Sequence, residues 1–194
     1  AHSVVEVKPA NAKKELLEFV KFENTDNVLA PVKPVDLLRR ILQLATRASE
    51  EHIVLDFFAG SGSTGHAVLS QNAEDGGNRR FVLVQLPEPL AKPEKVLKTI
   101  ADICKERLRN VIKKLDTDKA GKLELEAPQA ARGFRVFRLA ESNFMPWNAE
   151  EPKDAQTLAK QLELHINHIR EGRTPDDLLY ELLLKSGFPP TTPV

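Results

Sequence analysis

Apolar residues recur at helical spacing through the first part of the chain. Between residues 11 and 23, lysines and glutamates alternate with an apolar face made of Leu16, Leu17, Phe19 and Val20. This spacing predicts a short amphipathic helix, followed by a loop over residues 24–33. From Pro34 the sequence PVDLLRRILQLAT repeats apolar positions every three or four residues, with Arg39 and Arg40 outward. A second amphipathic helix is therefore expected.

The pattern then changes to two short apolar runs that flank a glycine-rich turn. Residues 53–58 predict a strand, the glycines at 60, 62 and 65 predict a loop, and a helix is expected over about residues 64–70. After Gly76-Gly77, the run Phe81-Val82-Leu83-Val84 predicts a buried parallel strand. Strand, helix and strand in this order form a βαβ unit with a right-handed crossover.

Helical spacing returns in the second half. A helix is predicted over about residues 94–115, with Cys104 on its apolar stripe as a core residue. The polar stretch 116–132 is expected to be a mobile loop, and the alternation in 133–139 predicts a strand. Helices are expected over 155–170 and from the cap at Thr174-Pro175 to a stop at Gly187. The chain is thus predicted to be α/β over residues 1–139, with a helical appendage at 140–194.

Composition and charge narrow the functional classes. The 28 basic and 28 acidic side chains cancel, whereas proteins that grip nucleic acid by charge alone carry a basic excess. A single cysteine excludes an internal disulfide and a cysteine-based zinc site. Apolar runs are too short to span a bilayer, and the N-terminus is too polar for a signal peptide. A cytoplasmic protein without a membrane partner is expected. The absence of an initiator Met suggests a piece of a longer chain.

The glycine loop at residues 60–65 indicates a nucleotide-like ligand. Its G-x-G-x-x-G spacing fits dinucleotide (NAD or FAD) binding, although this spacing alone is a weak signal. A phosphate-binding P-loop is disfavoured because His66 stands where that motif has a lysine. Asp56, at the mouth of the turn, would repel a pyrophosphate. The same carboxylate would attract the ammonium and sulfonium groups of S-adenosylmethionine.

The stretch DFFAGSGSTG at residues 56–65 resembles the S-adenosylmethionine motif of DNA amino-methyltransferases. The Lys33-Pro34 pair before a helix resembles the element that precedes this motif in their permuted β group, and RFVLVQLPE at 80–88 resembles the second strand. GFRVFRL, the SNF…W stretch at 142–147 and LLYELLLKSGF at 178–188 are similar to modification subunits of type III restriction systems. The resemblance implies a partial Rossmann-like methyltransferase sheet and an adenine-N6 activity.

The resemblance also implies which residues contact S-adenosylmethionine. Asp56 and Phe58, with Phe57 and Ala59 beside them, would line the pocket, and Gly60 and Gly62 would allow close approach of the backbone. Polar contacts near the cofactor carboxylate are implied for Ser61, Ser63, Thr64 and Lys33. Many relatives carry an acidic residue where this chain has Gln85, so either Gln85 or Glu88 is expected at the ribose. No catalytic residue and no metal ligand is assigned.

Amino-methyltransferases of this type place an Asp/Asn-Pro-Pro-aromatic loop at the target amine. The only Pro-Pro of this chain, Pro189-Pro190, precedes a threonine. The chain is therefore expected to be the C-terminal piece of such an enzyme, inactive by itself. Expected partners are DNA, the restriction subunit, the missing N-terminal half and a second copy of the chain. A non-enzymatic module that docks the restriction subunit through residues 140–194 is the further alternative.

Three sets of residues are interpreted without a role in binding or catalysis. His165 and His168 lie three residues apart on a predicted helix, and without a suitably spaced third ligand they are interpreted as ordinary histidines. The basic residues Lys105, Arg107, Arg109, Lys113 and Lys114 are expected to form a solvated helix face. His66 is expected to be an ordinary residue of a first helical turn.

Overall fold

A computed structural model describes residues 9–120, 132–148, 150, 154–166, 168–189 and 191–193 of the 194-residue chain. The chain divides into two compact units, with the boundary in the sequence between Gly133 and Phe134. Among the described residues, no helix is long and apolar enough to cross a membrane.

The first unit alternates helices with two short strands, which confirms the α/β prediction. A single 3-10 turn, Thr25–Asn27, lies between the first two helices. The elements in chain order are α1 (Pro9–Phe19), α2 (Val35–Ala45), β1 (Ile53–Asp56), α3 (Ser63–Asp75), β2 (Arg80–Leu83) and α4 (Ile100–Ala120).

The two strands pair in parallel, with Ile53 opposite Arg80 and Asp56 opposite Leu83. Because the strands run the same way, their carboxyl ends lie side by side, and the loops that follow them meet at one edge. Helix α3 connects the strands and completes the predicted βαβ unit. One face of this sheet packs on a core formed by α2 and α3, whose buried members are Val35, Leu42, Ala67 and Val68.

The other face of the sheet is open in the described part of the chain. Ile53 and Leu55 of β1 and Val82 of β2 are each about half exposed or more, and so is Val84 just beyond β2. These apolar side chains alternate with inward-facing neighbours, as the period of a strand requires. The four residues Ile53, Leu55, Val82 and Val84 are referred to below as the open sheet face.

Helix α4 forms the second layer of the core and begins later than its apolar spacing predicts. Residues 94–99 are not helical, and Pro89 instead forms an isolated antiparallel bridge with Thr99. Thr99 and Asp102 exchange side-chain to backbone hydrogen bonds, Asp102 N to Thr99 Oγ1 at 3.2 Å and Thr99 N to Asp102 Oδ2 at 2.9 Å. This reciprocal pair is a capping box, and it sets the first turn of α4 at Ile100. The helix then continues to Ala120, so the predicted loop at 116–132 is wrong at its start, and its residues 121–131 lie outside the described part.

The second unit contains the two predicted C-terminal helices, α5 (Ala155–Ile166) and α6 (Pro175–Lys185). The prediction that α5 extends to residue 170 is wrong, since residues 168–170 are not helical, and His168 therefore lies outside the helix that carries His165. The predicted cap of α6 is confirmed, since Thr174 and Asp177 form a capping box with Pro175 in the first turn. Glu181 of α6 accepts a hydrogen bond from the Asn143 backbone, which ties the segment before α5 to α6. The predicted strand at 133–139 is wrong: its described residues form no ladder, and Phe137 packs edge-on against Tyr180.

Candidate cofactor site

The glycine loop lies where the two parallel strands end. The Asp56 carbonyl accepts a hydrogen bond from Val84 N at 2.9 Å, and the Val84 carbonyl accepts one from Ala59 N at 3.1 Å. A tight turn follows, in which Gly62 N donates to the Ala59 carbonyl at 2.8 Å. The chain then enters α3 at Ser63, so the loop presents the first turn of a 13-residue helix. Free backbone N–H groups at such a helix start attract negatively charged ligand groups.

Two glycines of the loop have left-handed backbone conformations that disfavour other residues. Gly60 has φ of +53° and Gly62 has φ of +77°. A Cβ on Gly62 would also lie 2.9 Å from Cys104 Sγ, which is too close for two unbonded heavy atoms. Cys104 is buried, as predicted, and burial raises the pKa of its thiol to about 11, so it is an inert wall behind the loop.

The third glycine of the motif serves the packing of α3. A Cβ on Gly65 would lie 2.8 Å from Cδ2 of Leu108 and 2.9 Å from Cδ1 of Leu83. Helix α3 thereby approaches both α4 and β2 more closely than any residue with a side chain would allow.

Asp56, the last residue of β1, holds the loop with both carboxylate oxygens. Its Oδ2 accepts a hydrogen bond from Thr64 Oγ1 at 2.6 Å, and its Oδ1 accepts one from Phe58 N at 3.1 Å. The residue is only partly buried, so the negative charge still faces the mouth of the turn. Asp56 therefore orders the loop through two hydrogen bonds and also places charge beside it.

Gln85 bonds to the loop, whereas Glu88 does not. Gly60 N donates to Gln85 Oε1 at 2.7 Å, which ties the segment after β2 to the centre of the loop. Glu88 is exposed, and its backbone carbonyl accepts a hydrogen bond from Ile100 N at 2.9 Å. Of the two residues considered for the ribose, Gln85 is the one next to the glycine loop and Glu88 is the one with an exposed carboxylate.

Two aromatic side chains stand at the mouth of the loop. Phe57 and Phe58 are largely exposed, Phe58 to 78%, and their ring centroids lie 5.2 Å apart. A large aromatic ring gains little by facing water, and such exposed pairs are typical of binding surfaces. Ala59, which follows them, is buried at the turn.

The hydroxyl groups of the loop point into the protein. Ser61, Ser63 and Thr64 are all buried, and Thr64 is bonded to Asp56 as described above. Arg107 Nη1 donates to Ser61 Oγ at 3.1 Å and to Ser63 Oγ at 2.8 Å. The three hydroxyls are therefore engaged within the protein, and the predicted contacts of these side chains with the cofactor stay predictions.

His66 and Arg107 are the two residues whose surroundings the sequence did not indicate. Arg107 is completely buried under the loop, so the expectation that it belongs to a solvated helix face is wrong. His66 is also buried, packs edge-on against Phe19, and accepts a hydrogen bond from Arg107 Nε at its Nδ1. Burial, together with the positive charge of Arg107, lowers the pKa of His66 to about 3, so the ring stays neutral near neutral pH.

The segment that begins with Lys33-Pro34 is connected to the glycine loop through the ion pair of Glu15 and Arg107. Lys33 itself is exposed, and Val35 N, two residues later, donates to Glu15 Oε2 at 3.4 Å. The same Glu15 oxygen lies 3.7 Å from Arg107 Nη2. Burial raises the pKa of Glu15, although the Val35 hydrogen bond and the Arg107 charge oppose that shift.

The paired histidines of the second unit pack against aromatic rings. His165 lies edge-on to Trp147 with ring centroids 5.0 Å apart, and His168 stacks on Phe144 at 5.4 Å. Within the described ranges, no group of three or more acidic, histidine or cysteine side chains is arranged to hold a metal ion.

Comparison with known proteins identifies relatives of this loop and its flanking elements. Residues 11–86 match the model of the DNA methylase family. The chain is 37% identical over 132 residues to the Mod subunit of the type III restriction-modification enzyme StyLTI from Salmonella typhimurium, which covers 66% of this chain and 18% of the relative.

Two further relatives are also matched over about a fifth of their own length. The Mod subunit of the type III restriction-modification enzyme EcoP15I from Escherichia coli is 35% identical over 141 residues, which is 71% of this chain and 19% of the relative. The type II methyltransferase M.KpnI from Klebsiella pneumoniae is 37% identical over 82 residues, 40% of this chain and 20% of the relative. The chain thus spans about a fifth of these relatives. Residues 11–86 thus match the DNA methylase family model, and the chain is similar to a segment of type III restriction-modification Mod subunits.

Proposed function

We propose that this chain is the S-adenosylmethionine-binding portion of a DNA adenine-N6 methyltransferase of a type III restriction-modification system. The observation that carries the proposal is the loop at 56–65, in which a partly exposed carboxylate, two left-handed glycines and two exposed aromatic rings meet at the ends of parallel strands. Ligands of open α/β sheets bind at such strand ends. The match of the same residues to the DNA methylase family supports the assignment.

The charge of Asp56 favours S-adenosylmethionine over a dinucleotide. Two unit charges about 4 Å apart near a protein surface interact with about 4 kcal/mol. The sign of that interaction is favourable for the sulfonium and ammonium groups of S-adenosylmethionine and unfavourable for the pyrophosphate of NAD or FAD. When bound, the cofactor supplies an activated methyl group on its sulfonium sulfur.

The other residues of the loop would divide the remainder of the ligand between them. The exposed rings of Phe57 and Phe58 would cover the adenosine, and the backbone at Ala59, Gly60 and Gly62 would approach it closely. Amides at Ser61, Ser63 and Thr64, at the start of α3, together with exposed Lys33, would receive the cofactor carboxylate. Gln85 or Glu88 would accept a hydrogen bond from the ribose.

In this proposal the methyl acceptor is adenine N6 in DNA. A base inside a duplex is out of reach, so the target adenine would be flipped out towards the cofactor. The proline-rich loop that holds the amine, the rest of the methyltransferase and the restriction subunit would be supplied by partners of this segment. The chain by itself is expected to bind the cofactor and to transfer no methyl group to DNA.

Calorimetric titration of the chain with S-adenosylmethionine and with NAD tests the proposal. Binding of S-adenosylmethionine is expected, and Asp56→Asn should weaken it by about tenfold or more, which corresponds to about 1.4 kcal/mol. Asparagine keeps one oxygen acceptor, so the variant removes the negative charge and retains one of the two hydrogen bonds that Asp56 accepts from the loop. Glu51→Gln, an exposed acid just before the opposite end of β1, is the matched control and should leave the affinity unchanged.

Two results would overturn the proposal in different directions. Binding of NAD without S-adenosylmethionine would identify a dinucleotide-binding domain. Binding of neither ligand, combined with capture of a restriction subunit by residues 140–194 alone, would favour the docking-module hypothesis.

A further inference from the structure

A buried arginine lies behind the glycine loop and bonds to it at three points. Arg107 is 0% exposed and is the largest fully buried side chain among the described residues. Its Nη1 donates to the hydroxyls of Ser61 and Ser63, and its Nε donates to Nδ1 of neutral His66 at 3.3 Å. These acceptors span the last loop residues and the first turn of α3.

The same guanidinium connects the loop to the start of α2. Its Nη2 lies 3.7 Å from Glu15 Oε2, and that oxygen accepts the hydrogen bond from Val35 N. Arg107 therefore contacts the glycine loop directly and is connected to the start of α2 through Glu15. Nη2 makes no hydrogen bond within the described residues.

Stability alone does not explain an arginine at this position. Removing a guanidinium from water is costly, and well-packed apolar residues often replace a buried ion pair without loss of stability. Direct contact with a ligand is also excluded as the explanation, because the side chain has no exposed surface. What the arginine provides is several directed hydrogen bonds that fix hydroxyls in a loop which otherwise contains three glycines.

We propose that Arg107 is a positioning residue for the cofactor: by binding Ser61, Ser63, His66 and Glu15, it holds the glycine loop and the start of α2 in the arrangement that receives the carboxylate end of S-adenosylmethionine. This inference rests on the proposed function for the identity of the ligand. The ordering of the loop by Arg107 is independent of that identity and can be measured without a ligand.

The chain contains a matched control for this experiment. Arg79 is also buried, to 4% exposure, and it forms an ion pair with Asp75 at 3.0 Å and hydrogen bonds with Asn72. It immediately precedes β2, at the end of the sheet opposite the glycine loop. Replacement of either arginine removes a buried guanidinium from the same unit, but only one of the two contacts the loop.

The test compares Arg107→Met, Arg107→Lys and Arg79→Met in the whole chain. Hydrogen–deuterium exchange of the amides in residues 58–66 is measured relative to amides of α6 and at equal distance below each variant's Tm. Exchange in the loop should rise at least tenfold in Arg107→Met, rise less in Arg107→Lys, and stay within about twofold of wild type in Arg79→Met. The calorimetric Kd for S-adenosylmethionine should rise at least tenfold in Arg107→Met and less than threefold in Arg79→Met.

The outcomes separate this inference from the proposed function. Equal loop exchange in Arg107→Met and Arg79→Met would overturn the positioning role, and so would an unchanged Kd in Arg107→Met when the wild type binds the cofactor. If the wild type binds no S-adenosylmethionine but loop exchange responds to Arg107 alone, the ordering role stands and the proposed function fails. Should Arg107→Met not fold, the double variant Ser61→Ala, Ser63→Ala removes two of the same hydrogen bonds from the loop side and gives the same comparison.

Discussion

At the scale of single residues, Gly62 is the position in the glycine loop that tolerates change least. In Gly62→Ala the new Cβ would meet Cys104 Sγ at 2.9 Å, and φ of +77° adds strain of about 1–2 kcal/mol. Gly60→Ala meets similar backbone strain at φ of +53° but has open space around the Cβ. We therefore expect a Tm decrease of at least about 4 °C for Gly62→Ala and a clearly smaller decrease for Gly60→Ala in thermal unfolding followed by circular dichroism. Equal decreases would contradict the close approach of Cys104.

His66 makes the stability of the first unit sensitive to acid. Its pKa is about 3 in the folded chain, because of burial and the nearby charges of Arg107, Lys114 and Arg39, and about 6.5 when unfolded. Between these values the unfolded chain binds a proton that the folded chain excludes, so stability falls as the pH is lowered from about 6.5. At about 1.4 kcal/mol per pKa unit, the loss attributable to His66 reaches about 3 kcal/mol at pH 4.

The variant His66→Gln isolates this contribution, since glutamine keeps an oxygen acceptor for Arg107 Nε and does not titrate. Urea unfolding at pH 7 and pH 4 should show a smaller loss of stability on acidification in the variant than in the wild type. Glu15, whose pKa is raised by burial, acts in the opposite direction in the same range, but it is present in both proteins and cancels in the comparison. Parallel pH profiles would show that His66 is accessible to protons in the folded state.

Residues of the site differ in how far the sequence could indicate their surroundings. The glycine loop and Asp56 could be located because their chemistry depends on neighbours within ten residues. The burial of Arg107 could not, because its partner Ser63 is 44 residues away and lies on another helix. A weak signal did exist: Arg107 is four residues from Ile103 and Val111, so it lies on the apolar stripe of α4.

At the scale of elements, the start of α4 depends on a cap more than on apolar spacing. Burial raises the pKa of Asp102, but hydrogen bonds from Lys105, Thr99 and the backbone of Lys98 and Thr99 outweigh it and lower that pKa to about 2. The apolar residues at 96 and 97 fit a helix, which is why spacing alone predicts one from residue 94. The capping pattern at Thr99-x-x-Asp102, read together with Pro93, indicates the later start that the structure has.

Removal of the Thr99 cap should lower the stability of the folded chain by the amount that is typical for the loss of a helix N-cap. Thr99→Ala loses the side-chain acceptor for Asp102 N, and such changes at helix starts cost about 1 kcal/mol. Thr117→Ala, on the exposed end of the same helix, loses only a bond to the Lys113 carbonyl and serves as the control. Thermal unfolding should give a Tm about 2–4 °C lower for Thr99→Ala and nearly unchanged for Thr117→Ala. A Tm equal to wild type for Thr99→Ala would show that the Pro89–Thr99 bridge, not the cap, fixes the start of α4.

The strand predicted at 133–139 illustrates a different limit of sequence analysis. Alternating apolar and polar residues describe a surface that suits a sheet, but a strand also requires a neighbour with free N–H and C=O groups. No described segment offers that neighbour, and the side chains instead pack against α6, where Arg135 donates to Tyr180 Oη. Periodicity indicates which residues share a face and does not indicate whether a partner strand is present.

At the scale of the whole molecule, the apolar pattern indicated the class of the fold, whereas a partial sheet was expected only from the family resemblance. The α/β order and the parallel pair of strands follow from the pattern of apolar runs and turns. The open sheet face does not follow from that pattern, because continuous apolar runs such as Phe81-Val82-Leu83-Val84 are typical of strands buried on both faces. The prediction of a buried strand at 81–84 is wrong for one face, since Val82 and Val84 are about half exposed. A larger Rossmann-like sheet, completed by further strands of a parent enzyme, stays part of the proposal.

The open sheet face should make the isolated chain associate with itself. Leu55 is 59% exposed between three other apolar side chains of that face, and β1 has one edge without a partner strand in the described residues. Such a face and edge favour pairing with another chain. We expect sedimentation velocity to show dimers or larger species as the concentration rises through the range of tens to hundreds of micromolar.

A lysine placed on the open sheet face tests whether that face is the contact. Leu55→Lys puts a charge where association would have to desolvate it, and should shift the chain towards monomer. Leu44→Lys, at a leucine of α2 that is 76% exposed, carries the same added charge away from the sheet and should leave association unchanged. A wild-type chain that stays monomeric at hundreds of micromolar would contradict the prediction outright. Equal loss of association in both variants would mean that net charge, and not burial of the open sheet face, controls it.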